Sequence, residues 1–159
     1  MRRLFWIPLL ALVGIASAAY TESAAPSLNA ERAKQVVTQT RRQFIEANME
    51  IPDAQKDAFW TIYKAYEDEL APVAQQTGQL SQEYTTDYTT LTNAQVMEMM
   101  KGSSASNKKA IDLRYKYAEQ IGKKVGPKLG ARFFQLDDYY TTATRLARLD
   151  NIGFVGDQK

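Results

Sequence analysis

Phe59-Trp60-Thr61-Ile62-Tyr63-Lys64-Ala65-Tyr66-Glu67-Asp68-Glu69-Leu70-Ala71-Pro72-Val73 opens the stretch that decides the fold. Within it Phe59, Tyr63, Tyr66, Leu70 and Val73 recur every three or four residues. The same spacing continues through Thr77, Leu80, Tyr84, Tyr88 and Leu91. Residues at this spacing share one helix face, so the pattern predicts a long helix packed lengthwise on another. Pro72 interrupts the seam. It removes one backbone donor and crowds the carbonyl four residues back, so a kink is expected near Glu69–Ala71. Gly78 adds a soft point beyond it.

Outward from this segment the chain stays helical. Leu91-Thr92-Asn93-Ala94-Gln95 reads as a turn into a third helix. Thr92 and Gln95 have capping-box spacing, and Leu91 and Val96 occupy the hydrophobic-staple positions. That helix carries Val96, Met99, Ser103, Ser106, Ala110, Leu113, Tyr117 and Ile121 on one face. Its middle, Gly102 to Ser106, is small and weakly helical, which marks either a break or a close approach between helices. Gly126-Pro127 ends it and starts a fourth helix, with Leu129, Phe133, Leu136, Tyr140, Ala143 and Ala147 facing inward. Before the long seam, Ala33, Val37, Thr40, Phe44 and Ala47 predict a first helix from Asn29 to about Met49, stopped ahead of Pro52. The expectation is an all-α protein of about four helices, a long kinked antiparallel helical hairpin with flanking helices.

The N-terminus predicts export. Arg2 and Arg3 precede an apolar run from Leu4 to Ile15, followed by Ala16-Ser17-Ala18. This is the layout of a cleaved signal peptide over residues 1–18, and the run is too short to serve as a stable membrane anchor. Residues 19–28 read as a flexible leader, 29–150 as one helical domain, and 151–159 as a loose tail in which Ile152, Phe154 and Val155 are available to dock. The chain would then act in the periplasm. Its formal charge of +2 belongs to the signal segment, because loss of Arg2 and Arg3 leaves 18 basic and 18 acidic residues. Such a balance gives no case for nucleic-acid binding.

With no His and no Cys, the chain has no Ser-His-Asp triad, thiol nucleophile, imidazole base or His/Cys zinc site. Ser106-Asn107-Lys108-Lys109 fits the S-x-x-K pattern of penicillin-binding enzymes but lacks the companion motifs, and reads as a polar helix face. Glu67-Asp68-Glu69 and Asp137-Asp138 are neighbours that diverge around a helix, which favours a solvated face over a cation site. Met97, Met99 and Met100 read as packing residues of an adaptable apolar surface more than as soft-metal ligands. No catalytic, cofactor-binding or metal-binding residue is assigned.

Charge is segregated. Residues 46–98 hold ten acidic and two basic side chains, and residues 101–132 hold nine basic and two acidic. In an antiparallel hairpin this sets an acidic rod beside a basic one. Asp112 with Lys116 and Glu119 with Lys123 have the spacing of pairs along one helix. Lys108, Lys109, Arg114, Lys116, Lys123, Lys124, Lys128 and Arg132 form a candidate surface for acidic clients or an acidic partner domain, with Tyr115, Tyr139 and Tyr140 as aromatic contributors.

One short pattern occurs twice. Ile51-Pro52-Asp53-Ala54-Gln55 and Leu91-Thr92-Asn93-Ala94-Gln95 start forty residues apart, and each precedes a helix. Leu91, Thr92 and Gln95 match L-T-x-x-Q in full. Ile51 and Gln55 keep only the aliphatic residue and the glutamine, so the first copy lacks the hydroxyl for a capping box. In this motif, in size and in export, the chain resembles the LTXXQ (Spy/CpxP) family of bacterial periplasmic proteins over roughly residues 30–150. The resemblance implies a kinked helical hairpin that dimerises into a curved cradle. It also implies a non-enzymatic role: ATP-independent, chaperone-like binding of unfolded or stress-damaged envelope proteins, or regulatory binding to an envelope-stress sensor domain. Metal-sensing relatives use His, Glu and Met ligands, which adds a metal-binding accessory protein as a third reading, ranked below these two because the absence of His departs from that branch. The long seams by themselves also suggest a homodimer, since one hairpin need not bury them all. Arg132-Phe133-Phe134-Gln135-Leu136 is similar to a stretch in small exported proteobacterial proteins of unassigned function.

Overall fold

The computed structural model describes residues 28–87 and 89–149, so the expected signal segment and the tail from Asn151 lie outside the described residues. All regular structure among the described residues is helical: α1 (Ala30–Val36), α2 (Arg41–Asn48), a 3-10 turn (Asp53–Gln55), α3 (Lys56–Asp87), α4 (Asn93–Lys124) and α5 (Pro127–Leu149). The long hairpin is α3–α4. Its antiparallel register shows in Glu69 meeting Lys116 near the root and Leu80 packing on Gly102 near the tip. Helix α5 then returns antiparallel along α4, with Gly130 beside Gly122, Asp138 beside Arg114 and Arg145 beside Asn107.

The first expected helix is two. Asn29 caps α1 by accepting from the Arg32 amide at 2.9 Å, and the chain turns at Val37–Gln39. Thr40 then starts α2 through a full capping box with Gln43. The apolar spacing runs across this break. What stops the helix is a Thr-Gln-Thr sequence whose two hydroxyls bond to local backbone, Thr38 donating to the Gln35 carbonyl and Thr40 accepting from the Gln43 amide. Leu28, read as leader, is half-buried against the core.

Helix α3 runs unbroken through Pro72. Pro52 supplies no side-chain cap to the 3-10 turn before α3, whereas Thr92 and Gln95 form the expected reciprocal capping box at the start of α4. Helix α4 is continuous through Gly102–Ser106, which resolves that stretch as a close approach: a Cβ at Gly102 would lie 3.1 Å from Leu80 Cδ1, and Ser106 is buried. At the α4–α5 corner the Gly126 amide donates back to the Ile121 carbonyl at 3.1 Å with φ of +146°, a conformation that favours glycine. Pro127 opens α5 where its missing N–H costs nothing.

Phe133 sits at the centre of the core, fully buried. The Tyr66, Tyr63 and Phe59 rings meet it edge-on at centroid distances of 5.2, 6.0 and 6.4 Å, a favoured arrangement for aromatic quadrupoles. Helix α5 packs closely on α4, α1 and α2, and aromatic side chains bridge it to α3. Phe44 of α2 stacks on Tyr139 at 5.9 Å. The α3 seam is buried at Phe59, Tyr63, Tyr66 and Leu70 but only half-buried from Val73 through Tyr84, where the other helices give less cover.

Candidate functional site

The carboxylate pair Asp137-Asp138 is not a solvated face. Asp137 is 0% exposed and is the hub of the largest polar cluster. It accepts from Arg114 Nε at 2.8 Å, from the Tyr66 hydroxyl at 2.8 Å and from Arg41 Nη1. Both arginines also donate to the Thr141 hydroxyl, and Arg114 pairs with the more exposed Asp138. Burial works against the charge on Arg41, yet the attraction and hydrogen bond of Asp137 together with the nearby Tyr66 and Tyr63 oxygens outweigh it and hold the guanidinium more firmly protonated than usual. Burial first, and then the Asp137 charge, push the Tyr66 phenol well above its ordinary value, so it serves as a neutral donor. The cluster ties α2, α3, α4 and α5 together, and its groups are committed to one another.

Arg114 therefore leaves the candidate surface: it is 4% exposed and belongs to the core. The other seven basic residues are exposed, and four of them are engaged in ion pairs. Lys116 reaches across the hairpin to Glu69 at 2.7 Å, the cross-helix pairing that the charge split implies, and not to Asp112. Lys108 takes Asp112 instead, at 2.9 Å, and Lys123 pairs with Glu119 as its spacing predicts. Hydrogen bonds from Lys116 and from the Tyr117 hydroxyl hold the Glu69 carboxyl below its usual range. Lys124 and Lys128 flank the α4–α5 corner. Arg132 faces α2, donating to the Asn48 carbonyl at 2.9 Å and to Glu50. Tyr139 is half-buried against Phe44, and Tyr140 donates to the Gln39 carbonyl.

Other expected features resolve in the same way. Glu67, Asp68 and Glu69 diverge to three different partners, Arg42, Lys64 and Lys116. Ser106 is buried rather than on a polar face, and its hydroxyl makes no hydrogen bond, to Lys109 or to any other described residue. Among the described residues no three His, Cys, Asp or Glu side chains converge as for a metal ion, and no helix is long and apolar enough to cross a membrane. The motif residues Leu91, Thr92 and Gln95 build a helix start, while Ile51 and Gln55 flank and close the 3-10 turn.

The surface feature that stands out is one the sequence reading did not isolate. Met97, Lys101, Ser104, Lys108, Ile111 and Tyr115 follow one another at steps of 4, 3, 4, 3 and 4 along α4, and all six are exposed. Met97 and Tyr115 are 52% and 65% exposed, so neither belongs to the core, and none of the described helices covers the stripe. The steps were legible, but a parallel stripe through Leu113, Tyr117 and Ile121 captured the core assignment. Comparison with protein-family models, with curated proteins and with solved structures finds no match to this chain.

Proposed function

We propose that this protein is a non-enzymatic, exported binder of unfolded envelope proteins that works without ATP in the periplasm, and that the outward stripe of α4 is its contact surface. The observation that carries this reading is the mixture of exposed apolar and basic side chains along the stripe. Ile111 and Tyr115 stand exposed beside Lys108, with Met97 and Lys101 further along. Lysines draw an acidic, extended chain to the surface, and the apolar residues then hold it. Full burial of such a side chain contributes about 1.5–3 kcal/mol, and these are already partly covered, so each contact contributes less and is weak and reversible. The resemblance to LTXXQ proteins and the signal-peptide layout support the same compartment and class.

The processed chain is expected to suppress aggregation of a reduced, acidic client at near-stoichiometric ratio. Ile111→Ser with Tyr115→Ser should weaken suppression several-fold without loss of helicity, since both residues lie on the surface. Raising the salt from 0.05 to about 1 M should slow client capture by shortening the reach of the lysines. Failure to suppress aggregation at several-fold excess would remove the reading.

A further inference from the structure

Where the α3 seam loses cover, a cleft of about 750 Å³ opens between α3, α4 and the last turns of α5. Its floor is apolar, built from Leu80, Val96, Met99 and Met100. Arg145 and Arg148 stand at its edge, three residues apart on α5 and so on one face. Among the described residues no acidic side chain lines the cleft. The Arg145 guanidinium donates to the uncharged Asn107 side chain at 2.7 Å, and neither arginine forms an ion pair with a described residue. This differs from Arg41 and Arg114, both of which are matched to carboxylates.

An apolar floor beside two guanidinium forks that no described carboxylate neutralises is complementary to an alkyl chain that ends in an anion. We propose that the cleft binds a fatty acid of about twelve or more carbons, with the chain on the floor and the carboxylate held by Arg145 and Arg148. The volume lies within the roughly 300–1,000 Å³ of small-molecule sites. Methionine adapts its shape to a flexible alkyl chain, and arginine matches a carboxylate in bidentate geometry. A second copy of this chain presenting its α4 stripe would bring Lys101 and Lys108 against the two arginines, so like charge disfavours that occupant. The site does not depend on client binding at the stripe.

The test is calorimetric titration of the processed chain with dodecanoate, dodecan-1-ol and dodecyltrimethylammonium, each kept below its aggregation concentration. Dodecanoate should bind saturably at one site per chain, with the alcohol and the cation at least tenfold weaker. Arg145→Gln with Arg148→Gln should weaken dodecanoate at least tenfold. Arg148→Gln alone, at an exposed position, should weaken it several-fold with an unchanged helical spectrum. Met100→Glu, at a residue 60% exposed, should do the same by placing a negative charge on the floor. Absence of saturable binding, equal affinity for the alcohol, or indifference to the Arg148 change would each overturn the proposal. So would binding that appears only after removal of the residues beyond Leu149, because it would give the cleft to the chain's own C-terminal segment.

Discussion

Asp137 shows how a single residue can organise four helices. A carboxylate with no exposed surface is tolerable only because two guanidinium groups and a phenol surround it. Such a cluster need not add net stability, but removing one member leaves the others buried and unmatched. Asp137→Asn is therefore expected to destabilise the fold by about 3–5 kcal/mol, read as a lowered midpoint in urea. Alkaline pH acts on the same cluster. Tyr66 has a folded-state value above the ordinary 10.0, so its contribution is complete below pH 10.0 and is lost as pH rises towards the folded value. Tyr66→Phe should give a shallower decline of melting temperature above pH 10.0 than the parent chain, whatever its offset at neutral pH. None of this was legible in Asp137-Asp138 as a pair. Adjacent residues diverge around a helix, and only the register between α4 and α5 reveals which of the two meets Arg114.

At the scale of elements, starts and stops were the readable part. Thr92 with Gln95 and Gly126 with Pro127 mark boundaries through their own chemistry, and the helices begin and end there. The Thr40–Gln43 box uses the same chemistry and splits the expected first helix, but it lay hidden inside a continuous apolar spacing. Close packing between α4 and α5 was not readable at all. A Cβ on Gly130 would lie 2.8 Å from the Gly122 amide nitrogen and closer still to the Ala118 carbonyl, so the two backbones meet with no side chain between them. In an isolated helix, Gly130→Ala would gain about 1 kcal/mol of propensity. Here the helices must move apart, and overpacking of this kind costs about 1–3 kcal/mol or more. Thermal melts should show Gly130→Ala lowering stability, whereas Gly78→Ala, with open space around it, should raise or preserve it.

For the whole molecule, the seam periodicity conveyed the hairpin and the charge split conveyed its pairing, through Lys116 and Glu69. What they did not convey is how far the rest of the chain covers the hairpin. The seam residues Phe59 through Leu70 and Val73 through Tyr84 look alike in sequence, because the difference lies in which other helices reach them. The candidate surface was partly legible for the same reason. Lysines announce themselves by composition, but Arg114 is indistinguishable from them until its partner is placed.

Uneven cover along the hairpin also sets a gradient in how the molecule opens. Backbone amides near Tyr63, Tyr117 and Phe133 are held by the packed root, and their exchange with deuterium should require global unfolding. Amides around Leu80 and Val96 sit over half-buried side chains beside a cleft, so they should exchange through local separation of the two helices. Exchange rates should fall step by step from tip to root, and uniform protection along α3 and α4 would contradict this view. The protein would then resemble a pair of tweezers, clamped at one end and compliant at the other.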